Sequence, residues 1–134
     1  MQFIPYLNFD GNCKEAFAFY AEVFCGEIVM MMTAGSSPMA DQFPADARER
    51  IIHARLLTSN GVLMGADGPS PRVQPGMCVN ISVDEPAEAD RVFTALSEGA
   101  SVQMPIAETF WALRFGMLTD RFGTPWMVNC ELPR

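Results

Sequence analysis

The chain has 134 residues, 49% of them hydrophobic and 19% charged, the balance of a chain with a packed core and not of a disordered one. Nine Lys and Arg against sixteen Asp and Glu leave a formal net charge of −7, so the mean field repels a phosphate backbone and nucleic acid is not an expected partner. Apolar runs are far too short to span a membrane and residues 1–10 carry no basic leader, so a soluble, cytoplasmic protein with no membrane partner is expected.

Residues 3–9 are rich in aromatic and branched side chains and end at Asp10-Gly11, which predicts a strand and a turn. A helix follows. Asn12 is placed as its N-cap with Glu15 returning the capping-box bond, Cys13, Ala16, Phe17, Tyr20, Val23 and Phe24 recur on one face, and Gly26 closes it. Residues 27–33 predict a second strand and residues 34–44 a loop. Residues 50–58 and 62–66 predict two more strands, joined through Asn60-Gly61, the pair favoured where a tight hairpin turn needs positive φ. Residues 68–76 hold three prolines and two glycines and read as a linker.

The same order then repeats. Residues 77–83 predict a strand, and Asp84 and Pro86 suit the N-cap and first turn of a helix whose buried stripe is Ala89, Val92, Phe93 and Leu96, ended by Gly99. Residues 101–105, 110–119 and 125–130 predict three strands, with Arg121-Phe122-Gly123 turning between the last two. A sheet covered by a helix on one face must bury the other against something. The expected fold is therefore α+β, one domain over residues 1–134 made of two tandem β-α-β-β-β units, about 1–67 and 77–134, whose mixed sheets cup a central pocket.

Period-two alternation sorts the candidate site residues by face. His53 shares a face with Arg55, Asn80 with Cys78 and Ser82, and Asn129 with Met127. On residues 110–119, Trp111, Leu113, Phe115 and Met117 share one face, while Ala112 and Gly116 flank Arg114 on the other, a spacing that leaves room for a ligand beside a cation. His53, the only histidine, is either a general acid–base or anion contact, or a structural ring. Arg55 and Arg114 either grip a substrate carboxylate or phosphate with their two-pronged donors, or pair with acidic side chains. Asn80 and Asn129 either orient a ligand carbonyl or satisfy backbone groups, and Phe110, Trp111 and Trp126 either stack on an aromatic ligand or join the core. Met30-Met31-Met32 fill gaps or form a flexible apolar wall. The four cysteines are far apart with no CxxC pair, which argues for buried thiols and against a zinc or disulfide scaffold. No GxGxxG-type turn follows the first strand, so neither S-adenosylmethionine nor another nucleotide cofactor is expected.

Longer motifs run through nearly the whole chain. They are Pro5-Tyr6-Leu7-Asn8-Phe9 with Gly11-Asn12-Cys13, Ala16-Phe17 with Phe19-Tyr20, His53-Ala54-Arg55-Leu56, Glu108-Thr109-Phe110-Trp111-Ala112 with Arg114-Phe115-Gly116-Met117, and Asp120-Arg121-Phe122-Gly123 with Trp126-Met127-Val128-Asn129-Cys130-Glu131. In these the chain resembles the vicinal-oxygen-chelate superfamily of glyoxalase I, bleomycin-resistance proteins and extradiol dioxygenases, and within it the PhnB-like, 3-demethylubiquinone methyltransferase-like branch. The resemblance implies a glyoxalase-like fold, a homodimer and a pocket for a small-molecule ligand. Metal-using members carry His or Glu on the first and last strands of each unit, positions that fall near Pro5, His53, Cys78 and Met127 here. Only His53 suits a hard divalent ion, so no catalytic metal and no cofactor are expected. The function expected is a metal-independent enzyme acting on a small metabolite, with His53 catalytic and Arg55, Arg114, Asn80, Asn129, Phe110 and Trp111 on the substrate. The alternative is a binding protein that sequesters a hydrophobic compound.

Overall fold

The computed structural model describes residues 1–68 and 76–133, so the linker expected over residues 68–76 lies almost wholly outside the described residues. The chain forms two compact units, Met1–Arg72 and Val73–Arg134. The first runs β1 (Tyr6–Phe9), α1 (Cys13–Val23), β2 (Glu27–Thr33), two short 3-10 turns, β3 (Ile51–Leu57) and β4 (Val62–Asp67). Its sheet has the order β1-β4-β3-β2, with β1 parallel to β4 and the other pairs antiparallel. The second runs β5 (Val79–Ser82), α2 (Pro86–Leu96), β6 (Ser101–Ala107), β7 (Ala112–Thr119) and β8 (Pro125–Glu131). Its order, β5-β8-β7-β6 with β5 parallel to β8, repeats the first. The fold is α+β, two similar β-α-β-β-β units with a four-stranded mixed sheet in each.

Each helix packs on one face of its own sheet because its apolar stripe has nowhere else in the unit to go. In the first unit Cys13, Ala16, Phe17 and Tyr20 of α1 are fully buried, together with Ala54 and Leu56 of β3. In the second, Ala89, Val92, Phe93 and Leu96 are buried with Leu118, Trp126, Val128 and Cys130. Both helices approach closely over a strand glycine. A Cβ at Gly65 would lie 2.9 Å from the Phe17 ring, and one at Gly116 would lie 2.7 Å from the Phe93 ring.

Several local expectations are replaced by other solutions. Asn12 makes no side-chain cap bond, so the capping box with Glu15 does not form. Asp67, at the end of β4, caps α1 instead: its Oδ1 accepts from the backbone N–H of Gly11 at 2.8 Å and of Cys13 at 3.0 Å, while Oδ2 accepts from Ile51 N–H at 2.8 Å. The left-handed residue that ends α1 is Cys25, φ 51°, not Gly26. Gly26 N–H bonds back to the Ala21 carbonyl at 2.9 Å, and a Cβ there would lie 2.7 Å from the Leu57 carbonyl oxygen, which is why a glycine follows the cap. Neither Asn60 nor Gly61 takes positive φ; the β3–β4 connection is a four-residue loop over 58–61, closed by Thr58 N–H on the Gly61 carbonyl at 2.8 Å. In the second unit Glu85, not Asp84, occupies the N-cap of α2, with Pro86 in its first turn as expected. Phe110 and Trp111 precede β7 and are not part of it.

Candidate functional site

The residues that could meet a ligand are those on the sheet faces turned away from α1 and α2. In β3, Ala54 and Leu56 are fully buried beneath α1, so the intervening His53 and Arg55, both half-buried, project from the opposite face. Strand register builds the surroundings of these two side chains. Arg55 lies opposite Met30 on β2 and Met64 on β4, and Met64 lies opposite Tyr6 on β1, so one row reads Met30, Arg55, Met64, Tyr6 across all four strands. His53 lies opposite Met32 in the neighbouring row, and its ring stacks on Tyr6 with centroids 6.3 Å apart and planes 26° from parallel. Partial burial, with Cys13 nearby, raises the Tyr6 phenol above its ordinary value of 10.0.

The Arg55 side chain makes no hydrogen bond or ion pair with any described residue. Three other arginines are paired. Arg50 pairs with Asp10 at 3.2 Å, Arg91 with Glu88 at 2.8 Å and Arg114 with Asp90 at 3.0 Å. A half-buried guanidinium in an interior strand gives up hydration, and a partner that is itself anionic restores the balance.

In the second unit the face away from α2 carries two comparable rows. Met104, Met117, Met127 and Asn80 are successive register partners across β6, β7, β8 and β5, and Ala107, Phe115, Asn129 and Ser82 form the next row. Asn80 donates to the Ser82 hydroxyl at 2.9 Å. Asn129 Oδ1 is inaccessible and accepts no hydrogen bond from a described residue, a buried acceptor left without a partner. Phe110, 90% exposed, packs edge-on against Trp111 with centroids 4.7 Å apart, and Trp111 packs edge-on against Phe115 at 5.4 Å. Trp126, by contrast, is a core residue whose indole N–H donates to Asp120 at 2.8 Å.

Arg114 corrects the sequence expectation. Its register partner is the fully buried Cys130, which puts it on the side of β7 covered by α2, where Nε donates to Asp90 at 3.0 Å and Nη1 to the Leu113 carbonyl at 2.7 Å. The small residues around it make room for Phe93 of the helix and not for a ligand. A separate cavity of about 360 Å³ lies at the end of this sheet, lined by Ser82, Val83, Asp84, Leu113, Glu131, Leu132 and Pro133, and it includes none of the expected site residues.

Of the four positions expected to hold a metal, His53 alone offers a donor for a hard divalent ion, and it lies on β3 and not on β4, the last strand of its unit. Pro5 has only a carbonyl, already accepting from Met64 N–H at 3.0 Å, Met127 offers a thioether, and Cys78 is an exposed thiol preceding β5. Among the described residues no group of three or more His, Cys, Asp or Glu could hold an ion. The donor set does not fit a catalytic metal. Cys13 is not a nucleophile either, since burial, with the Asp67 carboxylate beside it, pushes its thiol up to about 12. Tyr6 and the methionine rows are the site features that alternation along single strands does not reveal, because they follow from pairing between strands.

Two β-α-β-β-β units, each closed by a parallel first strand, define a protein of glyoxalase-like fold. The fold is shared with a solved glyoxalase/bleomycin resistance protein/dioxygenase family enzyme from Burkholderia phytofirmans PsJN, 18% identical, covering 95% of this chain and 97% of that one with a TM-score of 0.64. The model of the family described as 3-demethylubiquinone-9 3-methyltransferase matches residues 1–129, and the chain belongs to that family, its PhnB-like branch. It is similar to protein YjdN of Escherichia coli (strain K12), 32% identical over 142 residues, covering 96% of this chain and 95% of YjdN. It is also similar to the crystal structure of protein PA1353 from Pseudomonas aeruginosa, 48% identical, covering 98% of each chain with a TM-score of 0.88. Among the described residues no helix is long and apolar enough to cross a membrane.

Proposed function

We propose that the protein binds a small organic metabolite and acts on it without a metal, with Arg55 as the anchor and His53 as the acid–base. The observation that carries this reading is the placement of both side chains on the face of β3 away from α1, with the Arg55 guanidinium free of any ion pair to a described residue. An imidazole beside a bound substrate takes a proton from one atom and returns it to another, and an anchor that fixes the substrate makes that transfer effectively intramolecular. The stacked Tyr6 ring holds the imidazole plane. Asn80, Asn129, Phe110 and Trp111 serve as polar and aromatic ligand contacts on the second unit. Arg114 is left out, since Asp90 already occupies it.

A second reading, sequestration of a hydrophobic compound without turnover, is favoured by the row Met104, Met117, Met127, because thioethers make an apolar surface that adapts to many shapes. A metabolite library incubated with the protein and with His53→Ala separates the two. Product formed by the native protein and reduced roughly 10²-fold or more in the variant supports catalysis. Saturable binding with no product in either supports sequestration, and no binding at all refutes both. The protein is further proposed to act as a cytoplasmic homodimer, as the family likeness suggests. Light scattering at micromolar concentration then gives about twice the chain mass of 14.8 kDa, and a monomer mass refutes it.

A further inference from the structure

The chemistry of the first-unit face narrows the class of ligand, on the reading that this face is a small-molecule site. Its Arg55 row contains a single cation, flanked directly on both sides by the thioethers of Met30 and Met64, with Tyr6 beyond. Directly opposed side chains on paired strands have Cβ atoms about 5 Å apart, so the guanidinium is bordered by polarizable apolar groups and by no second base. One guanidinium matches one carboxylate through two parallel N–H···O bonds. A phosphate dianion asks for more donors than the row offers, and the chain's net charge of −7 penalises each added negative charge. His53 lies two residues along β3, about 7 Å away, and with Tyr6 it presents a nearly parallel pair of rings. A flat six-membered ring spans that interval and lies against the thioethers with its acidic group on Arg55.

We propose that the first-unit face takes an aromatic monocarboxylate, its carboxylate held by Arg55 and its ring laid over Met30 and Met64 beside the His53–Tyr6 stack. The overall charge argues against anions in general, so the selectivity arises from the Arg55 guanidinium. Sixteen acidic residues are available in the chain, yet none of those described neutralises it. The acid is therefore supplied by the ligand.

The test uses the full chain with carbon-13 methionine methyls, titrated with benzoate and 2-naphthoate, with their neutral amides, and with acetate as the anion lacking a ring. The expected result is saturable shifts of the Met30 and Met64 methyls and of the His53 ring with the aromatic acids. The amides and acetate bind at least about tenfold more weakly, and Arg55→Gln removes the preference for acid over amide while its melting curve stays native. Should Arg55→Gln fail to fold, Arg55→Lys serves: it keeps the charge but loses the two-pronged geometry, and affinity for the acids falls while the amides are unaffected. Amides binding as tightly as acids, or acids indifferent to substitution at Arg55, overturn the ligand class while leaving the face as a small-molecule site. If neither acid shifts any reporter on the face, the ligand class is again refuted; if the metabolite library also shifts none, the functional reading falls with it.

Discussion

Asp67→Ala is the substitution that most directly tests how the first unit positions His53. The carboxylate ties three chain segments together, accepting from Gly11, Cys13 and Ile51. The Gly11 bond is exposed and its loss costs little. Loss of the Cys13 bond is loss of a helix cap, about 1 kcal/mol. Ile51 is 1% exposed, so its N–H loses a charged acceptor where water has poor access, about 2 kcal/mol. The variant is therefore expected to be less stable by about 3 kcal/mol, read as a lower urea midpoint with an unchanged slope. Because Ile51 begins the strand that carries His53, the imidazole signals of the folded variant should also move in a carbon–proton correlation spectrum. A loss below about 0.5 kcal/mol with unmoved His53 signals would show that Asp67 is not the clamp.

Cys25→Gly removes a side chain from a left-handed residue, φ 51°, and is expected to raise the melting temperature by about 2–4 °C; a fall would refute the backbone argument. Gly116→Ala places a methyl 2.7 Å from the Phe93 ring and 3.0 Å from the Ile106 backbone, so thermal unfolding should show a loss of about 1–3 kcal/mol. Cys25 and Cys78 are exposed while Cys13 and Cys130 are buried, so a thiol reagent should label two cysteines rapidly in the native protein and the others only on unfolding. The Cys13 thiol stays protonated in the fold up to about 12, whereas in the unfolded chain it ionises from its ordinary value of 9.0. The fold therefore binds the extra proton between those values, and its full stability below pH 9 should decline as pH rises towards 12; in Cys13→Ala that part of the decline disappears.

The order of elements, the repeat and the placement of His53 with Arg55 are legible in the sequence because they depend on periodicity within one segment. Ala54 and Leu56 declare the covered side of β3, and the residues between them must face the other way. Arg114 shows where that reasoning stops. Alternation states that Arg114 shares a face with Gly116, but only the position of α2 states that this is the helix side. The α1 cap is illegible for a related reason, since Asn12 satisfies every local rule while the oxygen that serves the helix comes from Asp67, 54 residues beyond Cys13. Cys25 runs against residue preference outright. The left-handed position falls one residue before the glycine because Gly26 is needed where the Leu57 carbonyl leaves no space for a Cβ.

The parallel closure of each sheet also governs the order in which synthesis can complete it. β1 pairs with β4, the last strand of its unit, and β5 likewise pairs with β8. As the chain leaves the ribosome, Tyr6–Phe9 must wait for Val62–Asp67 before any backbone partner exists, while β2, β3 and β4 meet their neighbours in turn. The nascent first strand and the uncapped start of α1 thus stay open until the whole unit has emerged. A chain stalled before residue 62 should for that reason be cut by protease near its own N-terminus, and one stalled well beyond Asp67 should resist.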